Sequence, residues 1–265
     1  MLEITALMDD MPGEDPGLLA EHGLSFHILY DGHRILFDCG QSDATLKNAG
    51  YLGIAAEKTE AVVISHGHYD HAGGYRAFAE GGCTGTVYTG PGFFLRKLSR
   101  KGAALRDLSA GFDRAYLRKM GIRHRQVEGI LELLPGAWLI GGFPRRCGFE
   151  TIPERFLRQT PEGLLPDDFS DEICMAFQVR GGRAVQVGCA HPGIVNMLTH
   201  VGQRLGQPVL AVFGGSHLVE ADEDRIRATM EALEALGVTR LGLSHCSGEA
   251  VRQGRIALGE SVVFE

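Results

Sequence analysis

The chain has 265 residues, 44% hydrophobic and 22% charged, with six cysteines and a formal net charge of −7. That is the make-up of an ordinary globular protein with ample material for a core, and its acidic balance argues against broad binding to nucleic acid or to a membrane surface. Met1-Leu2-Glu3-Ile4 lacks the start of a secretory signal, no apolar run approaches the ~20 residues of a membrane span, and Cys39, Cys83, Cys147, Cys174, Cys189 and Cys246 form no CxxC pair, so the expectation is a cytoplasmic protein with reduced thiols.

In chain order, Leu2 to Met8 and Leu24 to Tyr30 read as strands, with Asp31-Gly32 as a hairpin turn and His33 to Phe37 returning. Met8 to His22, rich in proline, glycine and acids, reads as a loop, either near the mouth of a site or as a mobile connection. Ser42 to Ala49 predicts a helix capped by Ser42 or Asp43 and stopped by Gly50.

Ala61 to Ile64 is an apolar run that reads as a short buried strand, and it leads into Ser65-His66-Gly67-His68-Tyr69-Asp70-His71-Ala72-Gly73-Gly74. Four potential metal ligands, His66, His68, Asp70 and His71, fall within six positions. In an extended loop His66 and His68 face the same way. Asp70 and His71, where the chain bends into a helix predicted from about His71 to Ala79, face a second point nearby. The spacing therefore predicts two adjacent metal sites on one short segment, and imidazole with carboxylate suits zinc, iron or manganese better than calcium or magnesium.

Between Gly92 and Arg125 the chain turns basic, with ten lysines and arginines against Asp107 and Asp113. This segment reads either as a lid or rim that attracts an anionic, phosphorylated substrate, or as a solvated face or a contact between copies. Trp138 to Ile140 reads as a strand, followed by Arg145 and Arg146, which are candidates for a substrate phosphate. Thr160 to Asp171 reads as loop, and Glu172 to Val179 with Arg183 to Val187 as a hairpin. A strand–loop–helix alternation follows: a helix opened by Pro192, a strand from Pro208 to Phe213, a helix from Asp222 to Leu236, a strand from Val238 to Leu243 and a last strand from Ser261 to Phe264. His191, His217 and His245 each sit just past the carboxyl end of an apolar strand, where α/β proteins gather functional groups. His22, His33, His124 and His200 read as ordinary surface or core residues.

His66-Gly67-His68-Tyr69-Asp70-His71 resembles the HxHxDH signature of the metallo-β-lactamase superfamily. SHGHYDHAGG, GCAHPGIVN, GGSHL and SHCSG together resemble its dihydropterin ribofuranosylaminobenzene phosphate synthase-like subfamily, over nearly the whole chain. The resemblance implies an αβ/βα sandwich of two mixed sheets flanked by helices, in one domain with the basic insert at about 92–125. It also implies two divalent cations, zinc first and iron or manganese next, held by His66, His68, Asp70, His71, His191 and His245. Asp38 at its strand end would support the metal loop from behind, although a plain turn aspartate reads the same. Where the superfamily usually has a bridging aspartate this chain has Gly188-Cys189, so that either Cys189 is a ligand, or the bridge is water alone, or one site is weakened; His217 is a candidate either for metal or for substrate.

The function implied is metal-assisted hydrolysis of a small anionic or phosphorylated ester, with Asp70 and His217 as catalytic groups. The alternatives are a transferase that condenses a dihydropterin pyrophosphate with an aryl amine, and a non-catalytic metal-dependent sensor or binding protein. Histidine at position 68, where di-iron relatives carry glutamate, disfavours a redox centre. A homo-oligomer is left open.

Overall fold

The computed structural model describes residues 1–252 and 254–265. The chain begins with β1 (Leu2–Met8), β2 (Ser25–Tyr30), β3 (His33–Phe37), α1 (Ala44–Tyr51), β4 (Ala61–Val63), α2 (Tyr69–Ala72), α3 (Tyr75–Glu80) and β5 (Thr86–Thr89). It continues through β6 (Lys97–Lys101), β7 (Ala104–Asp107), α4 (Arg114–Lys119) and β8 (His124–Gln126). Then come β9 (Ile130–Leu134), β10 (Ala137–Gly141), β11 (Phe156–Thr160), β12 (Gly163–Pro166), β13 (Ile173–Val179) and β14 (Gly182–Gln186). It closes with α5 (Ile194–Leu205), β15 (Val209–Gly214), α6 (Glu223–Ala235), β16 (Arg240–Leu243) and β17 (Ser261–Phe264).

Among the described residues three sheets form, in the orders β17-β1-β2-β3-β4-β5-β8, β16-β15-β14-β13-β10-β9 and β12-β11-β6-β7. The first two are mixed: antiparallel hairpins lead into parallel strands at β3-β4-β5-β8 and at β14-β15-β16. Side-chain alternation along each strand then builds the layers. On β3 and β4, Ile35, Phe37, Ala61 and Val63 join a core shared with Ile173, Met175 and Phe177 of β13, between the two large sheets. Their neighbours Leu36 and Val62 face the other way and pack with Tyr75 and Phe78 of α3. On the far sheet, Cys174, Ala176 and Val185 point outward to Ile194, Met197 and Leu198 of α5 and to Leu233 of α6. The order is helix, sheet, sheet, helix, as the resemblance implied.

The ends of several elements differ from expectation. The helix expected to stop at Gly50 runs to Tyr51, and Ser42 Oγ, not the Asp43 side chain, accepts the Ala44 N–H at 3.1 Å. The helix expected over 71–79 is split into α2 and α3 at Gly73-Gly74, where the backbones meet so closely that a Cβ on Gly74 would stand 2.1 Å from the Cys39 carbonyl oxygen. α5 opens at Ile194 rather than Pro192, and the buried Glu150 carboxylate accepts the Val195 and Asn196 N–H groups, both at 2.8 Å. The four-stranded antiparallel sheet has no counterpart in the expected architecture. It recruits β6 and β7 from the basic segment and pairs them with β11, which ends where the stretch expected to be loop begins, and β12, which lies within that stretch. The rest of the basic segment, α4 and β8, returns to the first large sheet. All six cysteines are free thiols, and no helix among the described residues is long and apolar enough to cross a membrane.

Candidate metal centre

Six strand ends supply the site. β1 leads to Asp9 and Asp10, β3 to Asp38, β4 to Ser65-His66, β14 to Cys189 and His191, β15 to His217, and β16 to His245. These are the carboxyl ends of strands from both large sheets, so the site lies along one edge of the sandwich. The turns needed there are sharp: Asp38, Ala190, His217 and His245 have φ between 49° and 55°, in the left-handed region that non-glycine residues seldom occupy. Such a concentration of unfavourable backbone is typical of functional sites. At Gly67 a side chain is excluded outright, because its Cβ would lie 2.4 Å from the Phe93 carbonyl oxygen.

The first cluster is His66, His68 and His191. Their ring centroids stand 4.6, 4.9 and 5.2 Å apart. All three are buried, and burial drives their pKa values well below the usual imidazole range, which leaves neutral rings with a free lone pair. His66 Nδ1 is spoken for by Ser65 Oγ at 3.0 Å. His66 Nε2 and both ring nitrogens of His191 are buried without any hydrogen-bond partner. A buried polar atom left unsatisfied costs about 1–3 kcal/mol, so three in one place call for an occupant. Phe169 stacks on His191 at 3.7 Å between centroids. The backbone beneath is braced by the fully buried Glu172 carboxylate, which accepts the Ala190 and His191 N–H groups at 2.6 and 2.8 Å.

The second cluster surrounds Asp70. Its Oδ2 lies 3.7 Å from His71 Nε2 and 3.3 Å from His245 Nε2. His71 Nδ1 donates to Asp38 Oδ2 at 2.7 Å, and Asp38 also accepts the Ser65 N–H and hydroxyl at 2.7 and 2.9 Å. Asp38 therefore orients His71 and ties it to the loop that carries His66. Burial opposes charge on Asp70, but His71, His22 and His245 outweigh it and hold the carboxyl well below its usual range. His245 loses to burial and gains more from Asp10 and Asp70, which hold it well above the usual imidazole value.

Cys189 joins the clusters. Donor atoms of His66, Cys189 and His191 all lie within 4.8 Å of one another, and so do those of His71, Cys189 and His245. Its Sγ is 3.1 Å from His71 Nε2, and burial raises its pKa well above the ordinary thiol value. Orphaned neutral imidazoles, an ionised carboxylate and a shared sulfur make a donor set that fits divalent transition-metal cations.

A cavity of about 400 Å³ opens onto both clusters; Phe156, Leu108 and Val219 give it apolar walls, and Arg106, Arg155 and Arg252 are basic residues in its lining. Arg106 donates to the Tyr69 hydroxyl at 2.9 Å, Arg155 lies 3.9 Å over the Phe156 ring and pairs with Glu220, and Arg252 donates to the His245 carbonyl at 2.7 Å. His217 lines the same cavity, 4.5 Å from His191 between ring centroids, and burial followed by Arg155 pushes its pKa down to about 4.

The structure thus brings together His66, His68, Asp70, His71, Cys189, His191, His217 and His245, with Asp38 behind them. It does not bring Arg145 or Arg146 to the cavity. The Arg145 guanidinium donates to the Glu150 carbonyl at 3.3 Å, and Arg146 donates its backbone N–H to Asn196 Oδ1 at 2.8 Å beside a separate surface pocket. Sequence reasoning missed Asp10 and His22, which line the cavity, and it left Arg155 unassigned. The available signal was the placing of an aspartate and a histidine in one loop beside a strand end.

Comparison with known proteins follows the same lines. The family model described as the metallo-beta-lactamase superfamily matches residues 20–92. The 7,8-dihydropterin-6-methyl-4-(beta-D-ribofuranosyl)-aminobenzene-5'-phosphate synthase of Methanocaldococcus jannaschii is 30% identical over 260 residues, 93% of this chain and 88% of its own. A solved metal-dependent hydrolase of the β-lactamase superfamily is 29% identical, with a TM-score of 0.82 and full coverage of both chains. Zinc-bound PqqB from Methylobacterium extorquens, at 12% identity and a TM-score of 0.60 over 99% of this chain and 100% of its own, shares the fold. With the HxHxDH segment at the edge of an αβ/βα sandwich and a relative of this identity along nearly its whole length, the chain belongs to the metallo-β-lactamase superfamily.

Proposed function

We propose that the protein is a metal-dependent hydrolase of a small anionic ester, a phosphorylated one first, working with two divalent cations. The observation that carries this reading is the placing of two adjacent donor clusters in a cavity lined by three arginines. In this reading His66, His68 and His191 hold one cation, Asp70, His71 and His245 hold the other, and Cys189 stands between them where relatives use aspartate. Zinc is the first choice, iron or manganese the next. Cations held there supply Lewis acidity and bring the pKa of water from about 15.7 to about 7.

The chain's own groups do the rest. Arg106, Arg155 and Arg252 receive the anionic end of the substrate, since guanidinium forks suit phosphate oxygens. Phe156, Leu108 and Val219 hold its organic part. His217, neutral at physiological pH, offers its ring to hydrogen-bond the leaving group. Asp70, ionised in this setting, serves as ligand and as the nearest carboxylate for a released proton.

A second reading has its own support. The relative at 30% identity is named a synthase, not a hydrolase, which favours condensation of a dihydropterin pyrophosphate with an aryl amine. One experiment separates the two. Zinc-loaded protein is assayed on phosphomonoesters, phosphodiesters, thioesters and lactones, and in parallel for pyrophosphate release from a dihydropterin donor with an aryl amine. Turnover of a phosphoester, lost by on the order of 100-fold or more in His68→Ala together with part of the bound zinc, supports hydrolysis. Pyrophosphate release without ester turnover would move the assignment to the synthase. Silence in both, with zinc bound, would leave a sensor or binding protein.

A further inference from the structure

His22 stands in a loop between β1 and β2, yet its ring is aimed into the second cluster. Its Nε2 lies 3.3 Å from Asp70 Oδ2, the same distance as His245 Nε2, with His71 Nε2 at 3.7 Å. Three imidazoles from three distant parts of the chain thus converge through the same ring nitrogen on one carboxylate oxygen.

The opposite nitrogens are equally telling. A histidine that binds metal through Nε2 normally donates its Nδ1 hydrogen to a carboxylate, which fixes the tautomer and the aim of the ring. His71 does so to Asp38. His22 and His245 both do so to Asp10, whose Oδ2 lies 3.1 Å from His22 Nδ1 and whose Oδ1 lies 2.6 Å from His245 Nδ1. One aspartate therefore orients two imidazoles towards a common point. The loop is fastened as well as aimed: Gly23 donates its N–H to Asp10 Oδ1 at 3.1 Å, and Leu24 donates its N–H to the Asp70 carbonyl at 3.2 Å. A plain surface histidine needs no such support.

We propose that His22 is a protein ligand of the second cation, making a set of one carboxylate and three imidazoles with Asp70, His71 and His245. The assignment rests on the two-cation reading above. It gives the second cation four protein donors without the bridging aspartate that the resemblance leads one to expect. Asp10 becomes the positioning residue for two ligands at once.

The test is metal binding by the full chain. Metal-free wild type, His22→Ala, His22→Gln and the surface control His33→Ala are titrated with zinc against a chromophoric chelator, and with cobalt(II) while its visible absorption is recorded. The expected result is two zinc equivalents in wild type and in His33→Ala. In both His22 variants the first equivalent is unchanged and the second is weakened by on the order of 10- to 100-fold, with altered cobalt bands for that equivalent only. Circular dichroism of the metal-free variants checks that the fold is intact. Two equivalents of wild-type affinity and an unchanged cobalt spectrum in His22→Ala would overturn the assignment while leaving the two-cation reading in place. A single equivalent in wild type would overturn both.

Discussion

His124 is half-buried at the end of the first large sheet, its Nε2 2.9 Å from Thr89 Oγ1. Burial, then the Arg114 guanidinium, pushes its pKa from 6.5 down to about 4. The folded state therefore binds this proton less readily than the unfolded chain, so the stabilisation is whole above pH 6.5 and is lost as the pH falls towards about 4. We expect the melting temperature of wild type to drop across that window, and His124→Asn to drop less. Equal slopes for the two proteins would show that other groups carry the effect. Single residues also set the limit of what the sequence discloses. His66, His68, Asp70 and His71 were legible because they crowd one loop behind an apolar strand. His22 was not, because an isolated histidine looks the same whether it faces solvent or a cluster. Lys97 was counted with a basic surface, yet it is 2% exposed.

That lysine belongs to the scale of elements. Lys97 opens β6 and reaches Asp167 at 2.8 Å and Asp171 at 2.7 Å, and Asp171 Oδ2 in turn accepts the Gly67 N–H at 2.8 Å, between two proposed ligands. Burial works against the charged ammonium, but the two aspartates prevail and raise its pKa. The small sheet is thereby bolted to the metal loop. Lys97→Met leaves two buried carboxylates without a partner, and a loss of about 3–5 kcal/mol in urea unfolding is expected; a change within about 0.5 kcal/mol, as for an ordinary surface site, would show that the bolt bears nothing. Asp167→Asn with Asp171→Asn in the same chain should recover part of the loss. The third sheet itself lay beyond sequence reasoning. Its strands are short, separated by about fifty residues and largely polar, so they show neither strong period nor apolar runs. Ten of the thirteen strands of the two large sheets were placed to within a few residues, while β5, β8 and β9 were not read as strands; β8 (HRQ) and β9 (ILELL) are short and only partly buried.

Across the whole molecule, an acidic chain presents a cavity with three arginines. Its lining also holds Asp10, Asp70 and Glu220, so the attraction for an incoming anion is local to the guanidiniums, and salt screens it over about 10 Å. With a phosphorylated substrate we expect KM to rise with ionic strength at nearly constant kcat, and Arg106→Gln or Arg155→Gln to raise KM several-fold and to flatten the salt dependence. A salt-independent KM, or variants that lower kcat alone, would place the anion elsewhere. The layered architecture was legible from the alternation of strands and helices together with the family motif; the cavity's lining was not, since it is made where loops from both sheets meet.

The two donor clusters draw on residues far apart in sequence, from Asp10 and His22 to His191 and His245. On the ribosome, His245 is made 174 residues after His71. Until then the growing polypeptide displays a histidine-rich hook with nothing opposite it. In the reading proposed above, a product cut short before residue 245 lacks a ligand of the second cation, however well its first sheet has formed.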